Sequence, residues 1–176
     1  MGEAVKKEKG GMVEEHFDTT IDLDIDAYLP ETYVASEEQR LDLYKRIALI
    51  DSEEGRDEML DELIDRFGEP SRSVQNLLFI AMLRMEAHKA FVTDIVQRPE
   101  EIVFTLFERA AIDAGGIPAV IEKNKPYVTF TADAKHPAFH YFYKKNSRIK
   151  PKDLSDLVMT FVKELQGLAL NQKPEN

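Results

Sequence analysis

One helix and the turn that ends it carry most of the information in this chain, and they read DEMLDELIDRFGEP from Asp57 to Pro70. Apolar residues recur there at the spacing of one helix face: Met59, Leu60, Leu63, Ile64 and Phe67. Gly68 stands where a glycine ends a helix in the left-handed region, and Pro70 prevents continuation. The opposite face is charged: Glu58, Asp61, Glu62, Asp65 and Arg66. Such a face is typical of a solvated helix, and it also suits a docking surface.

Two further helices are predicted, one before this helix and one after it. Ser36 and Gln39 have the spacing of a capping box, which starts the preceding helix, and Ser52 can cap the acidic helix itself. The following helix is expected over residues 72–88. Because that segment is apolar nearly all round, we place it at the centre of the core.

The hydrophobic period then changes from helical to strand-like. Alternating or β-rich runs predict five strands, over residues 19–26, 91–96, 102–107, 127–131 and 139–143. The second and third should form a hairpin that turns at Pro99. A short helix broken near Gly115 is expected over residues 110–122, and Pro151 and Asp153 open a last helix.

This order of elements predicts an α+β fold, with a helical N-terminal half packed on a mainly antiparallel sheet and a C-terminal helix. Residues 1–17 lack apolar periodicity and are expected to be a disordered linker remnant. Residues 18–172 should form a single domain, and 173–176 a tail. We expect one core to contain Leu63, Ile64, Phe67, Leu77, Leu78, Ile80 and Phe161.

Charge and composition narrow the function classes. The net charge of −10 is concentrated in residues 1–68, which hold 20 acidic and 8 basic side chains. Such an acidic half repels duplex DNA and favours a basic protein surface. No apolar run approaches the roughly 20 residues of a membrane span. The chain has no cysteine and no visible signal peptide, which fits a reducing, cytoplasmic location.

The sequence lacks the motifs of catalysis. There is no phosphate-binding GxxxxGK[ST] loop, no GxGxxG turn and no HExxH helix. His136 and His140 are four residues apart, but Pro137 and the strand pattern disfavour a metal pair. We therefore expect no catalytic residue, no cofactor and no metal site in this fragment.

A basic, aromatic-rich segment over residues 123–152 offers an alternative function. It holds eight basic side chains against Asp133 alone, and aromatic residues interleave with them. Basic strands with exposed aromatics bind single-stranded nucleic acid by stacking. The simpler interpretation, which we favour, is a sheet with aromatics packed inward and lysines pointing outward.

Two blocks of sequence together resemble a known family. The first joins LPETYV, from Leu29, to RLDLYKRI, from Arg40; the second is ELIDRFGEP, from Glu62. In this order and spacing they are similar to the C-terminal domain of the bacterial transcription-repair coupling factor. The similarity extends over roughly residues 19–170, although beyond Pro70 it is one of pattern more than of motif.

The resemblance implies a regulatory domain without catalysis of its own. The parent protein in that family is an ATP-driven DNA translocase that acts on stalled RNA polymerase and recruits excision repair. Its C-terminal domain packs on an N-terminal module that resembles UvrB and masks the surface that binds UvrA. By this resemblance the chain would inhibit UvrA recruitment until polymerase is engaged.

The candidate interface with that module is formed by Glu62, Asp65 and Arg66. Their i, i+3 and i+4 spacing puts them on one helix face, opposite the apolar stripe. The simpler interpretation is a surface ion pair worth about 0.3–0.5 kcal/mol. The functional interpretation is a docking patch, because the resemblance places these residues in the block that faces the UvrB-like module.

The missing phosphate loop predicts that this chain does not bind ATP. A ligand that binds only the folded state raises its stability, so ATP should leave the melting temperature unchanged. The measurement is a thermal melt with and without magnesium and ATP. A rise of several degrees, which tight binding would produce, contradicts the prediction.

Overall fold

The computed structural model describes residues 16–170. The predicted tail at 173–176, and all of the predicted linker except His16 and Phe17, lie outside the described residues. Phe17 packs against the domain, since its ring centroid lies 4.2 Å from that of His88 and 4.8 Å from that of Phe107.

The structure is α+β, and its elements follow the predicted order. The α-helices are α1 (Glu37–Ala48), α2 (Glu53–Phe67), α3 (Arg72–Lys89), α4 (Ile117–Lys123) and α5 (Leu154–Gln166). The strands are β1 (Thr20–Asp22), β2 (Val92–Gln97), β3 (Ile102–Leu106), β4 (Val128–Thr131) and β5 (Ala138–Tyr141).

The five strands of the described residues lie in one sheet, in the order β1-β2-β3-β5-β4. The predicted hairpin of β2 and β3 is confirmed, and the β3–β5 and β4–β5 pairs are also antiparallel. The β1–β2 pair is parallel, so the sheet is mixed. A parallel partner needs a long crossover, and the three helices between β1 and β2 provide it.

The hydrophobic interior is divided into two clusters, which corrects the prediction of one core. Leu63 and Leu78 belong to a helical cluster with α1 and the 29–34 segment, whereas Phe161 belongs to a sheet cluster with the strands and α5. Helix α3 contributes to both: Leu78 and Ala81 to the first, Leu83 and Ala87 to the second.

The two clusters also show that the N-terminal helices do not all pack directly on the sheet. The main contacts of α1 and α2 are with α3, which in turn contacts β1, β2 and α5. The helical half therefore reaches the sheet chiefly through one helix.

Four of the residues predicted for the core lie outside the buried set. Ile64 is 37% exposed, and Phe67, Leu77 and Ile80 are only half-buried. The buried stripe of α2 is narrower than the apolar pattern, because Met59 and Leu63 alone are fully buried. Phe67 instead covers the edge of the helical cluster and meets the Tyr33 ring at a centroid distance of 5.7 Å.

The predicted start of α2 is confirmed, and its end differs in detail. The Ser52 hydroxyl accepts a hydrogen bond from the Gly55 N–H at 2.9 Å. Gly68 has φ 94° and ψ −174°. The φ is positive, as expected of a terminating glycine, but the ψ is extended rather than left-handed helical. This region is essentially restricted to glycine.

The helix predicted over residues 110–122 begins later than expected. A single 3₁₀ turn at Ala114–Gly116 leads into α4, while the preceding residues pair with residues 168–170. The Asp113 N–H donates to the Leu168 carbonyl at 2.7 Å, and Ile112 forms a bridge with Ala169. These pairings hold the segment extended.

Truncating a buried side chain of the sheet cluster should lower the free energy of unfolding more than truncating an exposed side chain of α2. Phe161 is 2% exposed and its ring contacts those of Phe104, Phe139 and Tyr141. Phe161→Ala should cost about 3–5 kcal/mol, and Ile64→Ala below about 1 kcal/mol, because only the first opens a cavity. Urea unfolding of the two variants measures both values. Equal losses would contradict the assignment of burial.

Candidate functional site

The sequence blocks that carry the family resemblance meet in space. The Leu29 N–H donates to the Tyr44 hydroxyl oxygen at 2.8 Å. The Tyr33 hydroxyl donates to the Gly68 carbonyl at 2.6 Å. These two bonds join the LPETYV segment to α1 and to the end of α2. The blocks therefore form one hydrogen-bonded unit that fixes the helical half.

An arginine in the same unit holds the segment before α1. Nη1 of Arg40 donates to the Val34 carbonyl at 2.7 Å and to the Ala35 carbonyl at 3.1 Å. A planar guanidinium that binds two successive carbonyls fixes the direction in which the chain enters the helix.

Glu62, a predicted site residue, forms ion pairs with Arg46 and Arg66, and Nη1 of Arg46 also lies 3.8 Å from Oδ2 of Asp42. Oε2 of Glu62 accepts from Nη1 of Arg46 at 2.9 Å and from Nη1 of Arg66 at 2.7 Å. Its Oε1 accepts from Nη2 of Arg46, so this pair is bidentate. Arg46 lies on α1, whereas Glu62 and Arg66 lie on α2, so the network joins the two helices. The surface formed by Arg46, Glu62, Asp65 and Arg66 is called the α1–α2 seam below.

The network changes the acidity of its central carboxyl. Hydrogen bonds from Arg46, and then from Arg66, lower the pKa of Glu62 from 4.5 to about 2. Charge-assisted bidentate bonds favour the ionised carboxylate, which remains charged well below neutral pH.

The structure places the three predicted site residues differently from one another. Glu62 and Arg66 are paired, and the Arg66 guanidinium also lies 4.9 Å from the centroid of the Phe67 ring. Asp65 is exposed and forms no ion pair with any residue in the described range 16–170. One charge of the patch is therefore directed to solvent, and the others are held in place.

Sequence reasoning missed Arg46, which completes the network. Its position in the RLDLYKRI block, beside the buried Ile47, was a usable signal, because an arginine at the edge of a buried helix face commonly reaches the neighbouring helix. The i, i+4 spacing within α2 could reveal only the Glu62–Arg66 pair.

Large apolar side chains are exposed on the same helical unit. Leu41 is 56% exposed and Leu49, at the end of α1, is 78% exposed. Tyr28 and Ile64 are the other exposed members of this unit. A helical unit that exposes both a charged seam and large apolar side chains has the kind of surface that a protein partner covers.

Two of the six Phe and Tyr side chains in the basic segment 123–152 are buried, as the simpler interpretation predicts. Phe139 and Tyr141 are buried, and both contact the Phe161 ring. Phe130 packs on Phe139 at a centroid distance of 4.8 Å. Phe139 and Tyr141 are therefore committed to the core and unavailable for stacking on bases, whereas Tyr127, Phe130, Phe142 and Tyr143 are half-buried.

The two neighbouring histidines do not form a metal pair. The ring nitrogens of His140 contact Glu101 Oε1 at 2.7 Å and Thr131 Oγ1 at 2.9 Å. His136 is exposed. Within residues 16–170 no group of three or more His, Asp or Glu side chains has a geometry that could hold a metal ion. None of the helices described there is long and apolar enough to cross a membrane.

Comparison with known proteins identifies the family. The family model of the TRCF domain matches residues 23–117, which include every block quoted above. The chain belongs to the TRCF domain family. The matched range contains the whole hydrogen-bonded unit and the ion-pair network.

The curated relatives that match this chain are transcription-repair-coupling factors. The transcription-repair-coupling factor of Bacillus subtilis is 36% identical over 115 residues, which is 65% of this chain and 10% of that protein. That of Mycobacterium tuberculosis is 38% identical over 82 residues, 47% of this chain and 7% of that protein. The chain thus spans about a tenth of the length of the curated relatives it matches.

A solved structure shows the same fold. A crystal structure of a C-terminal domain of transcription-repair coupling factor superposes with a TM-score of 0.73 at 23% identity. The match covers 89% of this chain and 97% of the other. The family inferred from the sequence blocks is confirmed, and the chain has the fold of a TRCF domain.

The lowered pKa of Glu62 makes the stability of the domain pH-dependent. A carboxyl whose pKa falls from 4.5 to about 2 on folding stabilises fully above pH 4.5, and this stabilisation is lost as pH falls towards 2. Glu62→Gln should therefore cost about 1–2 kcal/mol at pH 7 and almost nothing near pH 2.

Urea unfolding of both proteins at several pH values measures the difference. Glu58→Gln is the matched control, since Glu58 is exposed on the same helix and forms no ion pair with another described residue. A Glu62→Gln cost that stays constant down to pH 2 would contradict the assigned network.

Proposed function

We propose that this TRCF domain is the regulatory, non-catalytic C-terminal domain of a transcription-repair coupling factor. It restrains recruitment of excision repair by packing on a UvrB-like N-terminal module and masking the UvrA-binding surface of that module. The parent protein would be an ATP-driven DNA translocase that acts on stalled RNA polymerase. Family membership supports the parent, and the seam between α1 and α2 supports the contact.

The observation that carries the proposal is the prearranged charge on this seam. Arg46, Glu62 and Arg66 hold one another in fixed positions, and Asp65 lies beside them without a described ion-pair partner. Charges that are already ordered lose little side-chain entropy when a partner docks. The seam therefore suits a specific interface that must also open.

The three predicted interface residues have different roles in this proposal. Both carboxylate oxygens of Glu62 are occupied within the domain, so Glu62 positions the two arginines. Nη1 alone of Arg66 is engaged with Glu62, which leaves its other donors for the partner. Asp65 and Arg66 are accordingly the direct contacts, one of each sign.

A mixed-sign patch also fits reversible masking. Removing one member of a desolvated charge pair at an interface can cost about 2–5 kcal/mol, while the fold of each partner remains intact. Release of the domain would then need only a modest competing contact, such as one made when polymerase is engaged.

Opening of the mask is tested in the full-length parent, without RNA polymerase. Replacing Glu62, Asp65 and Arg66 together by Ala should expose the UvrA-binding surface and raise UvrA affinity. Asp65→Lys is the sharper variant, because it reverses one contact charge and leaves the Arg46–Glu62–Arg66 network intact. Affinity for purified UvrA is the measurement.

The matched control is Asp156→Lys, which makes the same charge change at an exposed position of α5. We expect UvrA affinity about tenfold higher for Asp65→Lys and unchanged for the control, since about 1.4 kcal/mol corresponds to a factor of ten. Equal, weak UvrA binding by wild type, triple variant and Asp65→Lys would rule out the patch as the mask.

A further inference from the structure

A cleft of about 490 Å³ lies at the far end of the sheet from the turn between β4 and β5, and α1 and α2 contribute nothing to its lining. Its walls come from the segment after β1, the β2–β3 turn and the loop over residues 143–154. The cleft is thus separate from the α1–α2 seam, and the proposed regulatory contact does not use it.

Hydrogen bonds hold the three walls together. The Asp24 N–H donates to Oε1 of Gln97 at 2.8 Å, and the Tyr143 hydroxyl donates to the Arg98 carbonyl at 2.6 Å. Within the loop, the Asn146 Oδ1 accepts from the Arg148 N–H at 3.1 Å. The cleft is therefore formed by the fold itself before any ligand enters.

The lining combines an apolar floor with a cationic rim. Ile25, Ile149 and Leu154 supply apolar surface, and all three are only half-buried. Lys144 and Lys150 line the rim, and both are exposed. This chemistry matches a ligand that carries both apolar and anionic groups.

The positive charge of the loop is not neutralised within the domain. Lys144, Arg148, Lys150 and Lys152 form no ion pair with any residue of the described range, and Lys145 lies 4.8 Å from the centroid of the Phe142 ring. Asp24 supplies the one carboxylate among the cleft residues described. In a chain of net charge −10, such an unpaired cluster is a local exception.

We propose that this cleft, between the 143–154 loop and the β2–β3 turn, binds a short acidic segment of a protein partner that also carries apolar side chains. Carboxylates of the segment pair with Lys144 and Lys150 at the rim. Its apolar side chains cover Ile149, Ile25 and Leu154. The surrounding Arg148 and Lys152 steer the acidic segment to the cleft through longer-range attraction.

A protein segment fits better than a nucleic acid for two reasons. Nucleic-acid binding to a basic strand surface relies on several exposed aromatic faces, and Tyr143, half-buried and with its hydroxyl bonded to the Arg98 carbonyl, is the aromatic residue among the described cleft residues. A long polyanion would also meet the repulsion of the acidic half of the domain. A short acidic segment confined to the cleft avoids most of that repulsion.

The probe is a fluorescein-labelled peptide of about twelve residues in which Asp and Glu alternate with Leu and Phe, so that it carries both the acidic and the apolar groups of the proposed segment. Its binding to the full 176-residue chain is measured by fluorescence anisotropy. A second peptide keeps the acids and replaces Leu and Phe by Ser. An oligo(dT) strand of about 20 nucleotides tests the nucleic-acid alternative.

The test variant carries Lys144→Glu and Lys150→Glu. The matched control carries Lys123→Glu and Lys135→Glu, the same charge change at exposed positions outside the cleft. We expect the test variant to lose at least about tenfold in peptide affinity and the control to stay within about twofold, because only the first removes cleft contacts. The serine peptide should bind several-fold more weakly than the apolar one.

Amide chemical shifts give a second, independent readout. The acidic apolar peptide should shift residues 143–150 together with Asp24 and Ile25, and leave α1 and α2 unaffected. The proposal is overturned by no peptide binding at about 1 mM, by equal losses in the two variants, or by oligo(dT) binding more tightly than the peptide. Since none of these residues lies on the α1–α2 seam, failure here leaves the masking proposal standing.

Discussion

The packing of α3 against two partners is the constraint on which the rest of the fold depends. A helix that is apolar nearly all round must bury every side, and no single neighbour can cover it. In this domain α1 and α2 cover one side, while the sheet and α5 cover the other. The position of the helical unit relative to the sheet, and with it the location of the exposed seam, follows from that division.

The amino-acid pattern predicted the elements well and their assembly less well. Serine caps, the β2–β3 hairpin and the amphipathic α5 depend on neighbours close in sequence, so local rules identified them. The split between Leu63 and Phe161 depends on which side of α3 each partner approaches, and no local rule specifies that. The parallel pairing of β1 with β2 has the same origin, because strand direction across a long connection is set by packing.

The candidate interface shows the same limit at the level of single side chains. Helical spacing predicted that Glu62 and Arg66 would meet, and it placed Asp65 near them. It could not reveal that Arg46 binds both oxygens of Glu62, because that contact joins two helices. The tertiary contact extends a pair within one helix into a network that joins two helices.

The end of α2 is fixed by the chirality of the backbone rather than by crowding. A Cβ added at Gly68 would meet no atom within 4 Å, yet φ is 94°. Reversing the signs of φ and ψ gives the ordinary extended conformation of an L residue. The backbone dihedral angles at Gly68 therefore suit a D-alanine introduced by chemical synthesis, whereas an L-alanine would be strained there even though its methyl group has space. At the end of α2, the backbone conformation therefore restricts the handedness of the residue, and lack of space for a methyl group is not the reason.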